Sequence, residues 1–138
     1  GTGTWGSCNT VVTLAFQSAG DYMKNFHTML PDLMADGIEV LIYAGDCDYI
    51  CNWLGNKAWT QTLEWEHKTD FVAAADKEWH HEGKTVARHR NANHFHFMQV
   101  YEAGHMVPMD QPAASLEMVN KFISGSLGDN DVETVTVV

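Results

Sequence analysis

IEVLIYAGDCDYICNWLGNKAW, residues 38–59, is the stretch whose reading decides the fold. Its first seven residues are nearly all apolar, with β-branched and aromatic side chains. That is how a parallel strand buried on both faces reads. Gly45 then allows a tight turn. Two acids follow, Asp46 and Asp48, and Asn52 is placed to cap a helix running to about residue 63. Trp53, Leu54, Ala58 and Leu63 are its candidate inner face.

Working outward, Met23, Phe26, Leu30 and Leu33 recur at three- and four-residue spacing, which predicts a helix over residues 21–35. Pro31 should kink or divide it, and Gly37 should stop it. Residues 10–16 suggest an extended piece. Residues 64–81 lack clean periodicity and read as an irregular excursion with a short helix near 71–79. Residues 84–89, 91–93 and 94–101 read as strand, turn and strand. Asp110 is placed to cap a last helix through about residue 123, and residues 124–138 read as a flexible tail. The whole of 1–138 reads as one α/β unit without repeats or an internal linker. The two best strands make a narrow sheet, and apolar edges need neighbours. Further strands are therefore expected from another chain or from a missing N-terminal half.

In open α/β sheets, functional groups gather beyond the carboxyl ends of the strands. Asp46 and Asp48 stand just past one strand end, and His105, within GHMVP (residues 104–108), just past another. An acid and a histidine at one rim are two members of a hydrolytic triad. The third, a serine on a sharp strand-to-helix turn, has no counterpart: no G-x-S-x-G occurs in the 138 residues. From the residues alone an Asp after a strand is more often a cap or turn residue, and Asp46 is read as one, capping or bonding the turn through its side chain.

Composition narrows the partners. The chain carries a formal net charge of −10 and 45% hydrophobic residues. An acidic surface argues against nucleic acid and anionic membrane, and no apolar run is long enough for a membrane span. The sequence starts Gly1-Thr2-Gly3-Thr4, which reads as an internal cut or a processing site. Three cysteines leave one over for pairing outside the chain. The histidines His80, His81, His89, His94 and His96 match no zinc spacing, and Cys47 and Cys51 are not CxxC, so no metal is expected. Cys51 reads as an inert thiol in a pocket wall. Trp53, Trp59, Trp65 and Trp79 read as packing residues.

GDCDYICNWLGNKAW (residues 45–59), YEAGHMVP (101–108) and SAGDYMKNFHTMLPDLM (18–34) together resemble the C-terminal part of the serine carboxypeptidases, with the similarity running over residues 7–127. The resemblance implies an α/β-hydrolase fold, here its C-terminal segment, with a mostly parallel sheet flanked by helices and a triad in chain order Ser, Asp, His. It matches Asp48 and His105 to the catalytic acid and base. The serine and the groups that grip the substrate's terminal carboxylate would lie on a missing N-terminal part or chain. Cys8 matches a cysteine bridged to that part. Cys51 matches a buried free thiol beside the site. Tyr22, Ile50 and Cys51 match positions lining the S1 pocket, and Met106 one lining S1′. No cofactor is implied. The expected partners are the serine-bearing part and a peptide substrate, and the expected place is vacuole, lysosome or outside the cell. Two rival readings stand beside this one: an acyltransferase on the same scaffold, and a non-catalytic chain that only binds or forms a homodimer.

Overall fold

A computed structural model describes residues 4–132. Its elements are helix α1 (Thr10–Ser18), 3₁₀ turns at Asp21–Met23 and Phe26–Met29, α2 (Leu30–Ala35), strand β1 (Val40–Gly45), α3 (Trp53–Thr62), α4 (Lys68–Ala73), β2 (Lys77–His81), β3 (Lys84–Ala92), β4 (Phe95–Val100), α5 (Val107–Asp110), α6 (Pro112–Ile123), a 3₁₀ turn at Leu127–Asn130 and β5 (Asp131–Val132).

The strands form one sheet in the order β1-β4-β3-β2-β5. Only β1 and β4 run parallel; β4–β3, β3–β2 and β2–β5 are antiparallel. The expectation of a mostly parallel sheet is thus corrected. The reason is local. β2 and β3 join through Glu82 and Gly83, both at positive φ, the conformation of a two-residue hairpin turn. β3 and β4 join through Asn93, also at positive φ, and His94. Such short connections allow antiparallel pairing alone.

β4 is the central strand, and its side chains alternate between two cores. Phe95 and Phe97 face one core with Met34, Leu63 and Phe71. Phe71 and Phe95 lie 4.8 Å apart between ring centroids, and Trp65 meets Phe95 edge-on at 5.7 Å. Met98 and Val100 face the other core with Trp79, Ala87, Val107, Met118 and Leu127. Helices α2, α3 and α4 supply the first layer; α5 and α6 supply the second.

Several local expectations are met. Asn52 Oδ1 accepts from Gly55 N at 2.8 Å and starts α3. Pro31 opens α2 instead of bending a longer helix, so the 21–35 segment is divided as expected. Gly37 stops α2 at φ 79°.

Others are not. Residues 10–16 are helical, because Asn9 Oδ1 accepts from Val11 N and Val12 N and caps α1 despite its β-branched residues. The short helix stands earlier than expected, at Lys68–Ala73, and Lys77–His81 is a strand in which Trp79 alternates inward and is buried. The last helix is broken between Asp110 and Pro112. Within the stretch read as a tail, Leu127 is buried and its carbonyl accepts from Trp79 Nε1 at 3.0 Å. Residues 133–138 of that stretch lie outside the described residues.

β1 has one neighbour in this sheet. Its outer edge is open, and Tyr43 is exposed. Helix α1 buries none of its residues, although Val11, Val12, Leu14 and Phe16 are apolar.

At the end of β1, Gly45 lies close against the backbone of another loop. A Cβ there would sit 2.1 Å from the Ala103 carbonyl oxygen and 2.5 Å from that of Gly104. Both obstacles are backbone and cannot swing aside. Gly45→Ala should therefore cost about 1–3 kcal/mol or more, the range for overpacking a tight site, read as a lower urea midpoint. An unchanged midpoint would show that the two loops separate freely.

Candidate active site

The close approach at Gly45 continues the β1–β4 pairing past both strand ends. Asp46 N donates to Val100 O at 2.9 Å, and Cys47 N donates to Ala103 O at 2.9 Å. These bonds bring the loop carrying Asp48 beside the loop carrying His105. Gly104 N donates to Asp110 Oδ2 at 2.7 Å, so the end of α5 is tied back to the second loop. That contact explains why Asp110 does not cap the last helix.

Asp48 is held from both of its oxygens. Oδ1 accepts from Ile50 N at 2.9 Å and from Cys51 N at 3.1 Å, which fixes the carboxylate within its own turn. Oδ2 lies 2.9 Å from His105 Nδ1. An ionised carboxylate can only accept, so Nδ1 carries the proton, and in the neutral imidazole Nε2 keeps a bare lone pair. The Asp48 side chain is 6% exposed and the His105 side chain 64%. The acid is therefore shielded while the imidazole faces open space. The His105 bond, with the Cys51 and Ile50 amides, holds the Asp48 carboxyl below its ordinary range against the opposing effect of burial.

The histidine-rich positions have structural partners. Glu39 accepts from His94 Nδ1 at 2.7 Å and from His96 Nε2 at 3.0 Å. Burial pushes Glu39 upward, but these two bonds outweigh it and hold the carboxyl below its usual range. His96 Nδ1 lies 3.0 Å from His89 Nε2, and the two rings stack. His81 bonds Glu117. Glu39, His94 and His96 pin the start of β1 to β4, at the opposite end from Asp48.

A sequence model of the serine carboxypeptidases matches residues 1–125. The chain belongs to the serine carboxypeptidase family. Carboxypeptidase Y homolog A of Chaetomium globosum is 49% identical over 124 residues, covering 88% of this chain and 22% of that protein. Carboxypeptidase Y of Schizosaccharomyces pombe is 49% identical over 121 residues, covering 87% of this chain and 12% of that protein. The crystal structure of Kex1(Δ)p, a prohormone-processing carboxypeptidase of Saccharomyces cerevisiae, superposes with a TM-score of 0.64 at 29% identity, over 72% of this chain and 22% of that one. The chain thus spans between about an eighth and a quarter of the curated relatives it matches. Among the described residues, no helix is long and apolar enough to cross a membrane.

Of the residues that the family resemblance singles out, the structure brings together Asp48, Cys51 and His105. Ile50 and Cys51 line one open depression with Asn52, Gly55, Asn56 and Trp59. Met106 follows His105 and is exposed. Tyr22 lines neither that depression nor the acid–histidine bond; its exposed ring lies 6.4 Å from Phe16. All three cysteines are free and exposed, Cys51 included, so its thiol is open where a buried one was expected. Cys47 Sγ donates to Asp46 Oδ1 at 3.3 Å, and that carboxylate pushes the Cys47 thiol upward. Two features were missed from sequence: the fold-back of Cys51 toward the Asp48 carboxylate, and the Gly104–Asp110 tie. The first has a signal in the D-x-x-C spacing directly after a strand.

The depressed Asp48 carboxyl has a definite sign. A group whose folded pKa lies below its unfolded value stabilises the fold above the unfolded pKa. That contribution is lost as pH falls through the folded one. Asp48→Asn should thus be less stable than the parent near neutrality, and the gap should close as pH drops from about 7 to about 2. Urea midpoints across that range measure it; a gap of equal size in acid contradicts the assignment.

Proposed function

We propose that this chain is the segment of a serine carboxypeptidase that supplies the acid and the base of a Ser–Asp–His triad. Asp48 is the acid and His105 the base. The serine comes from outside residues 1–138. The observation that carries this reading is the 2.9 Å bond between Asp48 Oδ2 and His105 Nδ1, with the imidazole otherwise exposed.

The chemistry follows from the tautomer. Serine Oγ attacks the carbonyl carbon of the last peptide bond, and its proton passes to His105 Nε2. Asp48 stabilises the imidazolium that forms. His105 then gives that proton to the leaving amine, the C–N bond breaks, and an ester to the serine remains. Water attacks the ester with His105 again as base, and the shortened peptide leaves with serine restored. Ile50 and Cys51 wall the side of the pocket before the scissile bond, and Met106 the side that holds the released residue. The exposed positions of Ile50 and Met106 suit pocket walls that face substrate. No cofactor takes part.

The open edge of β1, the bare apolar surface of α1 and the lack of a G-x-S-x-G support a serine-bearing partner segment. Cys8 has no disulfide partner among the described residues and is exposed, which leaves its thiol available to bridge to that segment. Such a bond fits an enzyme of the secretory pathway, a vacuole or the cell exterior.

Two measurements on the full-length protein that carries this chain test the reading. Asp48→Asn should lower kcat on a blocked dipeptide about 10⁴-fold with little change in KM. A serine-directed phosphonate should label a serine outside residues 1–138; labelling of Ser7, Ser18, Ser115, Ser124 or Ser126 would overturn the division of the triad. Non-reducing peptide mapping should find Cys8 joined to a peptide from outside the chain, and a free Cys8 or a Cys8–Cys47 bridge would defeat that pairing.

A further inference from the structure

Three different donor types converge where β1 and β4 end. One carboxylate oxygen of Asp48, one ring nitrogen of His105 and Sγ of Cys51 lie within 4.8 Å of one another. The cause is local. Asp48 Oδ1 gathers the amides of Ile50 and Cys51, so the chain folds back and sets the thiol beside the carboxylate. The other oxygen already sits 2.9 Å from His105 Nδ1.

Tetrahedral zinc holds Cys sulfur, His nitrogen and carboxylate oxygen at about 2.0–2.3 Å, which puts neighbouring donors about 3.3–3.8 Å apart. The Asp48–His105 pair is close to that spacing, and the thiol of exposed Cys51 already lies within 4.8 Å of both. A mixed sulfur, nitrogen and oxygen set suits zinc and its borderline-soft neighbours; magnesium and calcium prefer oxygen alone. The net charge of −10 favours approach of any cation.

We propose that Asp48, Cys51 and His105 form a binding site for a divalent cation of the zinc class, bound in place of the proton shared by Asp48 and His105, with water as the fourth ligand. The balance is simple. The Cys51 thiol releases its proton to solvent, the His105 proton moves from Nδ1 to Nε2, and the metal takes the bare Nδ1, the thiolate and the carboxylate. Nε2 is the nitrogen that must be bare to accept a proton from serine. A bound cation therefore locks the ring in the wrong tautomer and blocks proton transfer. The binding stands on geometry alone, whereas the block rests on the function proposed above.

Cobalt(II) is the probe, added to the full-length protein. A tetrahedral site with one thiolate should give visible d–d bands and a sulfur-to-cobalt charge-transfer band, both displaced by Zn²⁺. The charge-transfer band should vanish in Cys51→Ser and persist in Cys47→Ser. The competing Zn²⁺ affinity should fall at least about 100-fold in Cys51→Ser, more than loss of an outer-shell partner costs. Zn²⁺ should inhibit peptide hydrolysis by the parent reversibly, with recovery on adding a chelator. Its inhibitory concentration should rise by a similar factor in Cys51→Ser, each variant measured against its own uninhibited rate. Absence of the charge-transfer band, or its survival in Cys51→Ser, overturns the site. A cysteine-dependent band with unimpeded peptide hydrolysis overturns the tautomer block. The same band in a protein that hydrolyses no peptide even without metal upholds the site and refutes the proposed function instead.

Discussion

At Gly45 the chain passes beneath Ala103 and Gly104 with no room for a β-carbon, and the rest of the rim follows from that contact. It lets the two loops exchange backbone hydrogen bonds beyond the point where the strands end, through Asp46 N and Cys47 N. Without it, Asp48 and His105 would belong to separate loops, each free to drift. With it, a carboxylate anchored by two amides meets an imidazole across a single hydrogen bond. A short side chain of any kind at position 45 would part the backbones first and the pair second. Glycine is therefore required there for closeness, not for an unusual torsion.

The same strand pair is clasped at its other end by Glu39, His94 and His96. Between the two clasps, β4 is covered on both faces while β1 is covered by β4 on one edge only. The half-covered strand carries Leu41, Ile42 and Tyr43, side chains suited to an interior. Helix α1 has the same character, with a clean cap and apolar residues none of which is buried. Local signals thus shape both elements, while the burial their composition calls for is not supplied by the described residues.

That contrast explains what could be read from sequence. Residues 38–44 announce a strand through an unbroken apolar run, and Asn52 announces a helix through one capping oxygen. Both signals are local and strong. The meeting of Asp48 with His105 was legible because two strand ends point to one rim, and because the motifs around them are shared with a family. Strand β2 was not legible: His80, His81 and Glu78 mask a two-residue alternation whose one inward side chain, Trp79, is decisive only once the sheet exists. The sheet's direction is not carried by the apolar run of residues 38–44 but by the turns. Glu82-Gly83 and Asn93 dictate antiparallel neighbours, and two positive-φ residues in a row are the stronger evidence. The burial of Leu127 had no local signal, since it depends on an indole donor nearly fifty positions away.

The parallel pairing of β1 with β4 also orders assembly in time. Strands β2, β3 and β4 join through tight turns and close small loops, whose entropic cost is low and whose formation is fast. β1 must find β4 across everything between them, and the Asp48–His105 bond spans 57 positions of chain. Long-range pairings of this kind come late because their loop entropy is spent before their contacts reward it. Asp48 and His105 therefore meet only when the meander is already standing. A chain caught earlier in folding carries a largely built sheet but no Asp48–His105 pair.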